Sequence, residues 1–192
     1  MNCRGDEMKH KLRRVNKGIV LLLLLVLAAG TISIIDTAKY AARKDQAMQK
    51  AETFVTELAN LYTWPKDMPD VDAAEFEKKS DKYISYFDEG YSKVKPHVYD
   101  SKFLKKELTE RAMSSIRSFL LDDVKPKQVT FTPQFNKPRL NKETAEIKGT
   151  VTSKTVDKSG KTFNRSSEFI LHMEYINEEW VVVEFMLNSD MF

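Results

Sequence analysis

The chain has 192 residues, a length that suits one domain with or without an appendage. Six Gly and six Pro are too few for a collagen-like or low-complexity chain, and 42% hydrophobic against 31% charged residues describes a sequence that folds. The net charge of +3 is unevenly placed. Residues 1–17 hold six Lys/Arg and two acids, residues 18–35 hold no charge, and the rest holds 25 basic and 26 acidic residues. A near-neutral folded part argues against a nucleic-acid-binding domain, so no direct nucleic-acid binding is expected. The single cysteine, Cys3, excludes a disulfide framework and a Cys-based zinc site.

Residues 18–35 run Gly-Ile-Val-Leu-Leu-Leu-Leu-Leu-Val-Leu-Ala-Ala-Gly-Thr-Ile-Ser-Ile-Ile. As a helix they rise roughly 27 Å, close to the hydrocarbon thickness of a bilayer. Lys9, His10, Lys11, Arg13, Arg14 and Lys17 precede them. The positive-inside rule keeps that flank cytoplasmic and places the remainder outside the cell membrane. The expectation is a single-pass transmembrane helix over 18–35 seated in membrane lipid, after a cytoplasmic basic tail over 1–17. The competing reading is a cleaved signal peptide, for which Val26-x-Ala28 and Ala28-x-Gly30 are tolerable sites. The apolar run continues past them through Ile32, Ile34 and Ile35 into helix-forming sequence, which favours an uncleaved anchor. No Cys follows Ala28-Ala29-Gly30, which excludes a lipoprotein, and Gly30 with Ser33 is a poor small-xxx-small dimer face.

Residues 36–62 read as one helix, with Ala47/Met48, Ala51, Phe54/Val55, Leu58 and Leu61/Tyr62 recurring at helical spacing. Its first part, 36–48, lacks an apolar stripe and reads as a stalk; the exported domain is expected over 49–192. Pro65 ends this helix. Asp72 and Glu75 have capping-box spacing and predict a second helix to about Phe87, with Phe76, Tyr83, Ile84 and Phe87 inward and Gly90 as its stop. A third helix is predicted from Asp100/Ser101 to Leu121, with Phe103/Leu104, Leu108, Ala112, Ile116 and Phe119/Leu120 inward.

After Pro126 the period changes to two. Strands are predicted over 128–135, 143–155, 162–175 and from Trp180 to Leu187, joined through turns at 157–160 and 177–179. Val129, Phe131, Phe135, Ile147, Val151, Phe169, Leu171 and Met173 form the inward set. The closing strand is apolar on both faces except for Glu184. The expected fold is α+β, with three helices packed on a curved four-stranded antiparallel sheet.

Helices first, then long strands ending in Asn177-Glu178-Glu179-Trp180-Val181-Val182-Val183, resemble the cone-shaped fold of nuclear transport factor, shared with the cystatin-like group. With the basic tail and one membrane helix in front, the whole chain resembles the single-pass, cone-domain assembly factors of type IV secretion and conjugation machines, including the Gram-positive conjugation proteins. The resemblance implies a scaffold role, with contacts to itself and to other subunits of a DNA-transfer channel. That family has no catalytic signature, and no family site residue carries over to a numbered position here.

The residues themselves offer little chemistry. His10 lies in the tail, His97 in a loop, and His172 on a strand face between Glu168 and Glu174. That stripe reads as a solvated sheet face rather than a metal site, because one strand seldom closes a coordination sphere. Ser114-Ser115 has no base partner of recognisable type, and no phosphate-binding glycine loop occurs. The inward strand positions are apolar, so no enzyme, cofactor or metal is expected. If Val181, Val183, Phe185 and Leu187 face the core, then Trp180, Val182 and Met186 form an apolar patch on the outer face, a candidate partner interface. The alternatives are a pilin-like subunit, which would carry a Glu early in the apolar run, or an anchored ligand-binding or enzymatic domain of the same cone fold.

Overall fold

The computed structural model describes residues 17–187, with the backbone alone for 17–20 and 28–36. The described residues fall into two units, one up to Arg43 and one from Lys44 on.

Helix α1 is Lys17–Leu58. In the first unit, the side chains of Leu21 to Leu27 are all exposed. The rest of the predicted span, 18–20 and 28–35, lies outside the described side chains, as does the tail before it. Among the described residues no helix is long and apolar enough to cross a membrane. The apolar run that is described covers seven residues, about 10 Å of helix.

The second unit carries the α+β fold. Ala47, Ala51, Phe54, Val55 and Leu58 on α1 are buried, as the spacing predicts, and a 3₁₀ turn over Ala59–Tyr62 buries Leu61 and Tyr62. The predicted second helix is instead broken into α2 (Ala73–Lys78), α3 (Ser80–Tyr83), a 3₁₀ turn (Ile84–Phe87) and α4 (Asp88–Val94). Asp72 caps α2 as expected, its carboxylate accepting from the Glu75 N–H at 2.8 Å. Lys79 then leaves helical geometry at φ −118°, ψ 22°, which ends the first segment. The break turns Ile84 outward, leaving it 40% exposed.

Gly90 does not stop a helix but lies inside α4. Its role is close approach: a Cβ there would sit 2.9 Å from the Asn60 carbonyl oxygen. Helix α5, Lys102–Leu121, begins at Ser101, whose hydroxyl accepts from the Phe103 and Leu104 N–H groups. Leu104, Leu108, Ala112, Ile116, Phe119 and Leu120 face inward as expected, whereas Phe103 is 75% exposed.

The sheet has five strands rather than four: β1 (Pro126–Phe135), β2 (Arg139–Leu140), β3 (Thr144–Asp157), β4 (Thr162–Ile176) and β5 (Glu179–Leu187). All pairings are antiparallel, in the order β1-β3-β4-β5, with β2 paired to β3. The extra strand follows from Asn141, whose side chain accepts from the Glu143 and Thr144 N–H groups and turns Arg139–Leu140 back onto β3. Asn177 and Glu178 both have positive φ (50° and 68°) and make the tight turn into β5.

The core lies between the inner sheet face and the helices. Every residue of the predicted inward strand set is buried except Phe135, which packs half-buried against the core. Phe169 meets Phe135 edge-on at 5.7 Å and Phe185 at 6.1 Å, and Phe185 meets Phe54 of α1 at 5.4 Å. Gly149 makes this possible, because a Cβ there would come within 2.8 Å of the Phe169 ring.

Candidate functional site

The closing strand departs from the expected phase. Glu184 pairs with His172, but Val182 pairs with Met173, so Val183 is an extra residue. This β-bulge resets the alternation. Trp180, Val182 and Phe185 all point into the core; Trp180 is 3% exposed and Val182 0%. Two of the three proposed contact residues, Trp180 and Val182, are therefore core residues of their own domain. The third, Met186, is half-buried opposite Ile170 on the outer face. Strict alternation, applied from Leu187 backwards, cannot foresee a bulge.

The outer face thus takes a different composition from the one expected. Its apolar part is Ile170 and Met186, with Val181 and the bulged Val183, all half-buried. Beside it runs a row set by the ladder register: Arg139, Glu146, His172 and Glu184, one each from β2, β3, β4 and β5. The His172 ring stands between carboxylates, with Nε2 3.7 Å from Glu146 and Nδ1 3.3 Å from Glu184. Lys148 Nζ and Arg139 Nη1 also approach Glu146, at 3.4 and 3.7 Å. The partners of His172 come from neighbouring strands and not from Glu168 and Glu174 on its own strand, which are exposed. Among the described residues no group of three or more His, Cys, Asp or Glu is placed to hold a metal ion.

The remaining histidines stand apart. His10 lies outside the described residues. His97 is half-buried in the turn before Val98, which bridges β5 at Val182. Burial, then the charge of Lys50, holds His97 below the ordinary histidine pKa. Ser114 is exposed, and the Ser115 hydroxyl donates to the Arg111 carbonyl, an intrahelical bond.

The inner face is not apolar throughout. Ser153, Thr155, Asp157 and Ser167 continue the inward series beyond Val151 and Phe169 and are buried. The sequence signal was the same two-residue period carried further, with small polar side chains in place of apolar ones. The Asp157 carboxylate accepts from the Ser159 hydroxyl and the Lys161 N–H, bonds that lower its pKa. Nearby, Lys125 and Lys158 both pair with Asp70 and both lie over the Trp64 ring, a cross-link between the loop after Trp64, the segment before β1 and the β3–β4 turn.

No family model matches the sequence, and no curated protein does either. Solved structures that share part of its shape include the following two. One, from Xanthomonas campestris, is named as a calcium/calmodulin dependent protein kinase II association domain. It is 18% identical, with a TM-score of 0.36, covering 66% of this chain and 94% of its own. The other, from Novosphingobium aromaticivorans, is named as an aromatic ring hydroxylase. It is 11% identical, with a TM-score of 0.39 and the same coverage. Likenesses this distant decide neither an activity nor a partner.

Proposed function

We propose that the chain is a membrane-anchored, non-enzymatic assembly component of a bacterial conjugative DNA-transfer (type IV secretion) channel. Residues 18–35 hold it in the cell membrane with the N-terminus cytoplasmic, and the cone-like α+β domain works on the outer side.

One observation carries the anchor. Leu21 to Leu27 are seven consecutive aliphatic residues, each between 57% and 64% exposed. Seven residues make almost two helical turns, so the apolar surface faces every side of α1. A partner protein covers one stripe of a helix; a surface apolar all round calls for a bilayer. The uncharged sequence continues on both sides of this run over 18–35.

Binding rather than catalysis is supported by the sheet. Its inner face is filled by the core, and the acid at its polar end, Asp157, is already engaged by its own turn. The outer face offers a contact surface instead: Ile170, Met186, Val181 and Val183 flanked by the Glu146–His172–Glu184 row. Copies of the chain and other channel subunits are the partners this reading assigns to it. The machine itself rests on the architectural resemblance, and genes for a transfer ATPase and a relaxase beside this one would support it. The test of the surface is Met186→Asp. Crosslinked oligomers or complexes in membranes should fall while the domain's unfolding midpoint stays within error of the parent. Unchanged crosslinking would contradict the outer face as the contact.

A further inference from the structure

The ladder register sets Arg139 on β2, Glu146 on β3, His172 on β4 and Glu184 on β5 side by side across the outer sheet face. Neighbouring strands lie about 4.8 Å apart, so the row is roughly 14 Å long. Its members alternate between donor and carboxylate: guanidinium, carboxylate, imidazole, carboxylate. The ends are not used up within the chain. The Arg139 side chain is 84% exposed and comes no nearer to Glu146 than 3.7 Å, and Glu184 is half exposed.

An alternating row with an even number of members is its own complement when reversed. Two such faces can stack about a twofold axis that runs along the strands or across them. An axis along the strands, between β3 and β4, reverses the row. Arg139 of each copy then stands over Glu184 of the other, and His172 of each over Glu146 of the other. Every opposed pair joins a donor to a carboxylate. An axis across the strands, along the row, stacks Arg139 on Arg139 and each carboxylate on its own counterpart, which is repulsive.

The flanking rows agree with the first axis. Across β3 and β4, Lys148 pairs with Ile170, Thr144 with Glu174 and Thr150 with Glu168. Reversal lays the Lys148 stem over Ile170 and each glutamate over a threonine, so no like charges meet in these rows. Packed sheets cross at about 30°, which displaces the ends of the row by roughly 4 Å, within reach of a long arginine side chain. The four long strands, 9 to 15 residues each, present a face of roughly 750 Å². A stable interface buries about 800 Å² per partner, so the face is large enough. Ile170, Met186, Val181 and Val183 supply its apolar part.

We propose that the outer sheet face takes a second copy of this chain about a twofold axis along the strands, with Arg139 of each copy paired to Glu184 of the other and His172 to Glu146. The inference rests on the reading of the outer face as the contact surface and names its partner and register.

The test is co-purification of two differently tagged full-length copies, made together in one membrane and extracted in detergent. Arg139→Glu in both copies sets carboxylates against carboxylates at both ends of the row, and Glu184→Arg in both copies does the same with guanidinium groups. Either change should lower recovery of the second tag about tenfold or more. Arg139→Glu in one copy with Glu184→Arg in the other restores opposite charges at both ends, and recovery should return to the parent level. That rescue also shows that both variants fold. Three results would overturn the proposal: a parent that recovers other subunits but never the second tag, single variants that associate as the parent does, or a mixed pair as weak as the single variants. Complexes lost with Met186→Asp but untouched by the charge reversals would leave the outer face as the contact and remove this inference alone.

Discussion

Val182→Asp separates a core role from an interface role for the closing strand. Val182 on β5 has no exposed surface and pairs with Met173 on β4, which is also buried. Removing the valine forfeits about 1.5–3 kcal/mol of burial. An aspartate in its place must either stay ionised without a partner or bind a proton, and either course costs several kcal/mol more. The sum is comparable with the whole stability of an ordinary domain, about 5–15 kcal/mol. The Tyr99 N–H donates to the Val182 carbonyl at 2.8 Å, so the segment before α5 should loosen as well. The assay is urea unfolding of a fragment covering residues 44–192, followed by far-ultraviolet circular dichroism. Val182→Asp should abolish the cooperative transition or move it to far lower urea. Val181→Asp, one residue away and half-buried on the outer side, should shift it by no more than about 1 kcal/mol. A folded Val182→Asp protein with a selective assembly defect would refute the bulge and restore the strictly alternating reading.

Gly149→Ala should cost at least about 2 kcal/mol, because the new methyl would run into the Gln134 carbonyl and within 2.8 Å of the Phe169 ring; an unchanged urea midpoint would contradict this packing. Gly90→Ala sets two effects against each other. Helix propensity gains about 1 kcal/mol. The Cβ would meet the Asn60 carbonyl at 2.9 Å and the Leu61 Cα at 3.1 Å, both backbone, and overpacking of that kind costs about 1–3 kcal/mol. A net loss and a lower Tm are expected. His97 has a folded pKa below its ordinary value of 6.5, so the unfolded chain takes up the proton first. Stability should therefore rise with pH through the window just below 6.5 and fall on acidification, and His97→Gln should flatten that part of the profile. An identical profile in the variant would put the titration elsewhere.

Periodic elements were legible in the sequence because their pattern follows from local geometry. The two-residue alternation from 128 to 175 placed three long strands and their inward residues, and the 3.6 period of α5 placed its buried face. The errors occurred where tertiary structure overrides local pattern. Val183 interrupts an otherwise regular strand, and nothing in a run of valines marks which one is extra. Lys79 breaks a segment whose composition favours a continuous helix. Gly90 looks like a stop until Asn60 is seen against it. Arg139–Leu140 is too short to show any period, and only the Asn141 turn brings it onto β3. The outer-face row was half visible. His172 was noticed, but its partners are 26 residues before it and 12 after it, at Glu146 and Glu184, a relation that the strand register alone reveals.

Anchorage and orientation are tested most directly by thiol accessibility in intact cells, because Cys3 is the only thiol in the chain. A membrane-impermeant maleimide is applied to cells making the parent protein, and to cells making a Cys3→Ser, Ser159→Cys variant whose thiol lies on the exposed β3–β4 turn. The account predicts that Cys3 is labelled only after lysis and that the thiol at 159 is labelled in intact cells, with both proteins retained in membranes after alkaline extraction. Labelling of Cys3 from outside, protection of position 159, or release of the full-length chain by alkali would contradict it.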